Sequence, residues 1–342
     1  MTRKVLVIIS VAAAGITTAL PSVAAPSSVS ASWSPAGSPK QTVLQTGAAV
    51  VGNKVYMPGG WKPGFASAFD KMQILATGSS TWSIDNEPMP VGAMAQGAVC
   101  TDGSKVYVVD GIAEQGFLLS SLQIYDPSMP QGSRWSTGPG PSTPHDGSLV
   151  SRDGGCAWLG GKLYLFGGQA QSTNGTIDGI SDFTWVFDPG TGTWSDTGHP
   201  MLAKLWVFGF TSNAKHAYVA GGESPTDALK RGAEVFTPSS GWSKLPNLPR
   251  PNGGGTGYDW PGMGILSDGL VVFGGFGGVT YQARTLVCAM PCTATSSWTN
   301  GHKSLQAARS DMAYASGGAT PTVYAIDGQG ANQVLATAEK TT

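Results

Sequence analysis

The stretch Leu163-Tyr-Leu-Phe-Gly-Gly168 decides the fold of this chain. An apolar run of β-forming residues predicts a strand, and the glycines after it allow a backbone corner that other residues resist. Runs of this kind end in Gly-Gly or Asp-Gly six times. Their last residues are Gly60, Gly111, Gly168, Gly222, Gly275 and Gly328. The steps between them are 51, 57, 54, 53 and 53 residues, so the chain consists of six copies of one unit.

Two further features recur in each unit. A strand-like segment follows the glycines, as in Trp185-Val-Phe-Asp-Pro189. A tryptophan segment comes next, represented by Trp82, Trp135, Trp194, Trp242 and Trp298. The sixth unit lacks its tryptophan, whereas Trp33 near the N-terminus has no unit before it. Because Gln333-Val-Leu-Ala-Thr337 closely matches Gln73-Ile-Leu-Ala-Thr77, we expect it to be the third strand of the sixth unit, with the Trp33 segment pairing beside it.

Composition supports the same fold class and excludes several functions. Gly accounts for 49 of 342 residues, and charged residues for 12%. Glycine disfavours helix, so an all-β protein with many tight turns is expected. The net charge of −1 leaves no surplus of Lys and Arg for a nucleic-acid partner. The 31 aromatic residues, 11 Trp, 11 Phe and 9 Tyr, argue against disorder.

Together these features resemble the kelch repeat, in which each unit forms one four-stranded blade of a β-propeller. The resemblance covers nearly the whole chain after its N-terminal segment, and six coordinated matches make it specific. It implies a six-bladed kelch propeller whose N-terminal strand closes the last blade, removing open sheet edges. Residues 25–342 are expected to form this single domain.

The superfamily also includes galactose-oxidase-like copper enzymes, which use a Tyr-His pair, a further His and a Tyr cross-linked to Cys. This chain has no Tyr-His dipeptide, so a copper site is not expected. Other cofactor and metal motifs are also absent from the sequence, and no cofactor is expected. Bacterial sialic acid mutarotases are similar propellers, and kelch-like propellers accompany fungal polyketide and terpenoid pathways. No catalytic motif of these proteins carries over residue by residue.

Residues 1–24 have the pattern of a secretory signal peptide: Arg3 and Lys4, an apolar run, and small residues before a cleavage site after Ala24. The mature protein is therefore expected to be secreted or periplasmic, without a membrane anchor. Asn174-Gly-Thr176 is a glycosylation sequon if the source is eukaryotic. Export permits disulfides, and Cys288 and Cys292 are expected to form one. Cys100 and Cys156 are either bridged or buried free thiols.

The functional site is expected at one mouth of the central channel, where the loops after the glycines and the crossings between blades meet. Charged side chains there are candidates for acid, base or clamp roles, although ion pairs that only stabilise the fold are the alternative. The candidate catalytic residues are Arg152, Asp153, Glu223, Asp259, Arg309 and Asp311. Aromatic side chains are candidates for contacting a ligand, although burial in the core is the alternative. They are Trp61, Trp158, Trp206, Tyr258, Trp260 and Phe276.

Three functions fit the sequence. In the first, the propeller binds a small, partly apolar ligand at an aromatic-lined mouth. In the second, the same pocket is a cofactor-free isomerase or cyclase acting on a secondary metabolite or a sugar. In the third, the protein is a kelch interaction module without catalytic activity, and a broad loop surface binds a protein partner.

Overall fold

The computed structural model describes residues 31–141, 148–172 and 177–342. Within them the chain is all-β, which confirms that part of the predicted fold class. Its strands form eight antiparallel sheets, six of four strands, one of three and one of two. A single 3-10 turn covers Asn252–Gly254 in the described residues. No described helix is long and apolar enough to cross a membrane.

The strands are numbered in chain order. The first half of the chain contains β1 (Ser34–Pro35), β2 (Ala49–Val51), β3 (Lys54–Pro58), β4 (Met72–Ala76), β5 (Trp82–Asp85), β6 (Met94–Ala95), β7 (Ala98–Thr101), β8 (Val106–Val109), β9 (Ile112–Ala113), β10 (Leu122–Tyr125), β11 (Trp135–Gly138), β12 (Ser148–Arg152), β13 (Gly155–Leu159), β14 (Lys162–Phe166), β15 (Gln169–Ser172) and β16 (Ile177–Ile180). The second half contains β17 (Thr184–Asp188), β18 (Thr193–Asp196), β19 (Gly209–Ser212), β20 (Ala217–Ala220), β21 (Ala233–Thr237), β22 (Gly241–Leu245), β23 (Gly262–Leu266), β24 (Gly269–Phe273), β25 (Thr285–Ala289), β26 (Trp298–Thr299), β27 (Ala313–Gly317), β28 (Thr322–Ile326) and β29 (Ala338–Thr341).

Each repeat folds into one four-stranded sheet, and its apolar run is the second strand. In the third repeat β14 lies between β13 and β17, with β18 at the outer edge. Leu163 to Phe166 of β14 are buried because both faces of the strand are covered. The run ends where Gly167 and Gly168 adopt φ of 60° and 95°. A Cβ on Gly168 would lie 2.6 Å from the carbonyl oxygen of Arg152, so the close approach requires glycine.

The first strands of the six sheets contact one another in a cycle. β2 contacts β7, and β7 contacts β13. The cycle of contacts continues through β19 and β23 to β27, which contacts β2. The hydrophobic clusters lie between neighbouring sheets, as where Tyr164 and Phe166 of one sheet pack with Phe236 and Trp242 of the next. This arrangement is that of a propeller, with first strands innermost.

The N-terminal strand joins the C-terminal repeat. β1 pairs with β29, Ser34 lying opposite Lys340 and Pro35 opposite Glu339. Trp33 is buried; its indole Nε1 donates to Thr285 Oγ1 at 2.9 Å, and its ring lies 4.9 Å from that of Phe273.

The predicted third strand of the sixth repeat was wrong in position. It begins at Ala338 instead of Gln333, so Glu339 occupies the place that Gln73 has in the first repeat. The segment that resembles residues 73–77 instead ends the loop after Gly328, where Val334 bridges to Gln329. The short sequence match placed the strand too early, because the loop after the glycines needs about ten residues before the next strand. The spacing from Gly275 to Thr285 in the fifth repeat shows the same requirement.

Both cysteine pairs are bonded. Cys288 and Cys292 form the predicted disulfide at the end of β25. Cys100 and Cys156, left open by the sequence, also form a disulfide. It joins β7 to β13, the innermost strands of two neighbouring sheets. This bond therefore fixes two repeats to each other at the channel wall.

Loop length predicts that the two disulfides contribute unequally to stability. The Cys100–Cys156 bond closes 56 residues and the Cys288–Cys292 bond only 4. Chain-entropy arguments give about 4 kcal/mol for the longer loop and about 2 kcal/mol for the shorter. We expect the Cys100→Ala/Cys156→Ala variant to lose more unfolding free energy than Cys288→Ala/Cys292→Ala, measured by equilibrium urea denaturation. An equal or greater loss in the second variant would contradict this.

Candidate functional site

Six residues with left-handed backbone surround one mouth of the channel, one from each repeat. None is glycine, and their φ angles lie between 48° and 60°. Left-handed backbone is uncommon for such residues and is an outlier for a β-branched side chain such as Val207. We call these residues the inner ring. Its members are Gln45, Gln96, Asp153, Val207, Trp260 and Asp311.

Backbone hydrogen bonds link the inner ring. Five of the six neighbouring pairs are linked, each by an N–H that donates to the carbonyl oxygen of the member from the preceding repeat, and no such bond joins Asp311 to Trp260. The N–H of Gln45 donates to Asp311 at 3.0 Å, which connects the first repeat to the last. The other links are Gln96 to Gln45 at 2.7 Å, Asp153 to Gln96 at 2.9 Å, Val207 to Asp153 at 3.0 Å and Trp260 to Val207 at 2.9 Å. The left-handed backbone conformation orients the peptide N–H and C=O groups of these residues so that the hydrogen bonds can form.

A second circle surrounds the inner ring. The residue before each inner-ring member pairs with a residue just after the paired glycines, and we call these twelve residues the outer ring. In the first five repeats the two partners are 17 residues apart, so the pairing follows the repeat. The pairs are Leu44 with Trp61, Ala95 with Ile112, Arg152 with Gln169, Trp206 with Glu223, Asp259 with Phe276 and Ser310 with Gln329.

The outer ring divides the mouth into two chemically different halves. The first two repeats supply an apolar half, in which Leu44, Trp61, Ala95 and Ile112 pack into one hydrophobic cluster. The third to sixth repeats supply the polar and charged members, together with Trp206 and Phe276. The mouth is therefore amphipathic, although the backbone of the six repeats is nearly the same there.

Four predicted carboxyl groups come together in the polar half. The charges of Asp311 and Asp259 both act on Asp153, and those of Asp311 and Glu223 act on Asp259. Arg152 is the predicted basic residue that joins them, with Nε 4.0 Å from Asp153 Oδ2. The structure thus brings together Arg152, Asp153, Glu223, Asp259 and Asp311.

Asp153 is buried without a hydrogen-bond partner. Its side chain is fully buried, and neither carboxyl oxygen has a donor among the described residues. Arg152 does not supply one, because its guanidinium donates to Gln96 Oε1 at 3.0 Å and to Gln169 Oε1 at 2.8 Å. Burial, only partly offset by Arg152, raises the pKa of the Asp153 carboxyl well above its ordinary value.

Asp259 and Asp311 are neighbours in unlike environments. Burial and the charges of Asp311 and Glu223 raise the pKa of Asp259 to about 8, so Asp259 is largely protonated at neutral pH. Its Oδ1 is buried without a partner. Asp311 instead accepts hydrogen bonds from Gln45 Nε2 at 2.8 Å and from Ser310 Oγ. Burial and the nearby Asp227 also raise the pKa of Glu223.

Three predicted aromatic residues also lie at the mouth. Trp206, Trp260 and Phe276 are half-buried. The Arg152 guanidinium carbon lies 5.7 Å from the centroid of the Trp206 ring, and the indole Nε1 of Trp206 is buried without a partner. Trp260 lines a cavity of about 120 Å³ that runs inward from the inner ring between the innermost strands.

The structure places Arg309 and Tyr258 in the scaffold, although both were predicted at the site. Each lies two residues before an inner-ring member, and that position is buried in every repeat. Arg309 is fully buried and pairs with Glu339, while Tyr258 is 2% exposed and donates its hydroxyl to Pro249 O at 3.1 Å. The same position holds Val43, Met94, Ser151 and Leu205 in the other repeats. Its apolar character in three repeats is the sequence signal that distinguishes scaffold from site.

Two further predicted residues take other places. Trp61 belongs to the mouth as a member of the apolar cluster, with 9% of its surface exposed. Trp158 lies near the far end of β13 and stacks on Tyr107 at 4.9 Å, away from the inner ring. Asn174 and the predicted signal peptide lie outside the described residues.

No protein-family model and no curated protein matches the chain. Among solved structures, one described as "Structure of YjhT" superposes with a TM-score of 0.67 over 88% of this chain and 94% of that one, at 16% identity. This likeness concerns the fold, and it supports a β-propeller. In the ranges that the structure describes, no group of three or more His, Cys, Asp or Glu is placed to hold a metal ion.

The raised pKa of Asp259 predicts a pH dependence of stability. An unfolded Asp has a pKa of about 3.9. Between that pH and about 8 the folded protein binds more protons at Asp259 than the unfolded chain does, so this group makes the unfolding free energy fall as pH rises. We expect Asp259→Asn to flatten that fall between pH 5 and 8, measured by urea denaturation.

Asp188→Asn is the control for this experiment. Asp188 pairs with Lys162 at 2.9 Å, and its pKa is lowered, so its contribution is constant over the same pH range. An unchanged slope in Asp259→Asn would show that burial of this carboxyl does not favour its protonated form.

Proposed function

We propose that this chain is a secreted, six-bladed propeller of kelch type that acts on a small, partly apolar molecule at its channel mouth. The six four-stranded sheets, the cycle of contacts between their innermost strands and the pairing of β1 with β29 support six blades closed by the N-terminal strand. Two disulfides are consistent with an oxidising compartment.

The reaction that we propose is an isomerisation or cyclisation carried by proton transfer, without a cofactor. Two carboxyl groups in unlike environments can divide the roles of acid and base. Asp259, protonated at neutral pH, would serve as the acid, and Asp311, which accepts two hydrogen bonds, would serve as the base. The closeness of these two groups at one mouth is the observation that carries the proposal.

The apolar half of the mouth would bind the unreactive part of the substrate. Trp61 and Ile112 belong to the apolar cluster of the outer ring, and each is 9% exposed. A substrate with one apolar and one polar side would bury the first here and present the second to Asp259. Binding a protein partner through the loops alone would give no role to Asp153, whose two buried oxygens are unpartnered, or to the buried, unpartnered Oδ1 of Asp259.

Proton-transfer activity can be tested on defined substrates. We would follow anomer exchange of reducing sugars and deuterium uptake by enolisable ketones by NMR, with EDTA present. We expect turnover to fall by at least about 100-fold in Asp259→Asn and in Asp311→Asn, because each removes a proton-transfer group. Wild-type activity should also decline above about pH 8 as Asp259 loses its proton.

The control variant Asp188→Asn changes a half-exposed carboxyl group that pairs with Lys162 in another part of the molecule, and it should retain wild-type turnover. Turnover that persists in both mouth variants would remove Asp259 and Asp311 from the mechanism.

A further inference from the structure

The charge balance of the mouth limits the ligand more narrowly than the proposed function does. Four carboxyl groups, those of Asp153, Glu223, Asp259 and Asp311, act on one another there. Arg152 is the basic group that acts on Asp153 among the described residues, and it already donates to Gln96 and Gln169. At this site both oxygens of Asp153 and Oδ1 of Asp259 therefore have no donor in the part of the chain that the structure describes.

A buried, unpartnered carboxyl group indicates that a donor is missing, because burying such a group without a hydrogen bond is costly. Asp153 is only 7% exposed, both its oxygens lack donors, and it lines the cavity at the inner ring. Asp259 is half-buried, and its Oδ1 is likewise buried without a donor. A ligand that donates several hydrogen bonds and carries positive charge would satisfy both groups at once, as an ammonium group does.

The aromatic and apolar residues at the mouth suit the rest of such a ligand. Indole faces attract cations, and Trp206 already carries the Arg152 guanidinium over its ring at 5.7 Å. Trp260 lines the cavity beside Asp153. On the opposite side lies the apolar cluster of the first two repeats, of which Trp61 and Ile112 are each 9% exposed and Leu44 is fully buried. Phe65 and Phe117 lie in the loops after Trp61 and Ile112, and their exposed side chains add apolar surface there.

From this juxtaposition we infer that the ligand is an amphipathic amine, whose ammonium group lies between Asp153 and Asp259 and whose apolar body lies against Trp61 and Ile112. The inference rests on the proposed function for the location of the site, and adds the chemical class of the ligand. An anionic ligand, such as a sugar acid, would meet the excess of carboxyl groups and is disfavoured by the same charge balance.

Binding of such an amine is coupled to proton release. The charged groups that act on Asp153 are Arg152, Asp311 and Asp259. Those that act on Asp259 are Asp311 and Glu223. Asp227 lies beside Glu223, and Tyr281 is close to Asp259 and Asp311. The ammonium favours the ionised carboxylates, whereas the empty site favours the protonated acids. The affinity should therefore rise with pH up to about pH 9, since an alkylammonium keeps its charge to about pH 10.

Three probes of one shape separate charge from apolar contact. They are 2-phenylethylamine, 2-phenylethanol and 3-phenylpropionate, titrated into the whole secreted chain by calorimetry at pH 6, 7.5 and 9. We expect the amine to bind at least about tenfold more tightly than the alcohol at pH 9, and more tightly at pH 9 than at pH 6. Protons should be released on binding, seen as a heat that depends on the buffer.

Variants locate the two ends of the ligand. Asp259→Asn should weaken amine binding at least about tenfold and leave the alcohol unaffected. Ile112→Ala should weaken the amine and the alcohol alike. Asp188→Asn, a carboxyl change at another surface, should bind the amine like the wild type. Circular dichroism of each variant would confirm that it is folded.

Equal binding of the three probes, tighter binding of the carboxylate, or no binding of the amine would each overturn the inference. These outcomes are distinct from failure of the proposed function. Amine binding without turnover of any substrate would refute the acid–base proposal alone, whereas turnover of a neutral substrate by a site that does not bind the amine would refute the inference alone.

Discussion

The inner ring of left-handed residues at the channel mouth, linked by five backbone hydrogen bonds, is the constraint on which the rest of the structure depends. Its links pass from repeat to repeat and include the one that joins Gln45 to Asp311. Left-handed backbone at a non-glycine residue costs on the order of 1–3 kcal/mol and persists only where its surroundings impose it. Val207 and Trp260 have this unfavourable backbone conformation, and the packing between the neighbouring sheets must offset its cost.

Because backbone groups make the ring, its side chains are free to vary. The scaffold is held by other side chains, such as a buried Gln or Glu in the third strand that accepts an N–H from the crossing before it. Gln73, Gln123, Glu234 and Glu339 do this for N–H groups of Gln41, Val91, Leu202 and Gln306. The division between scaffold and site explains how one backbone presents an apolar half and an acidic half at the same mouth.

The glycine, aspartate–proline and tryptophan features were enough to predict an all-β chain of six repeats, because each depends on local backbone and packing. The chemistry at the mouth was only partly predictable. Arg152 and Arg309 look alike in sequence, each shortly before an aspartate. Arg152 lies directly before its inner-ring residue, whereas Arg309 lies two before and is fully buried against Glu339. A shift of one residue along a strand reverses the side a side chain faces, and short motifs do not fix that register.

Burial alone does not distinguish a functional aspartate from a structural one, as a comparison of Asp153 with two buried aspartates of the scaffold shows. Asp110 and Asp327 are as buried as Asp153, and each replaces the first glycine of a repeat with φ near 55°. Asp110 accepts the N–H of Ser151 at 3.0 Å, and Asp327 accepts that of Val43 at 3.0 Å, so each carboxyl joins two repeats. Asp153 has no such donor and lies at the cavity instead. Each of these two structural carboxyl groups accepts at least one backbone N–H, whereas neither oxygen of Asp153 does, and this difference is why we propose that a ligand contacts Asp153.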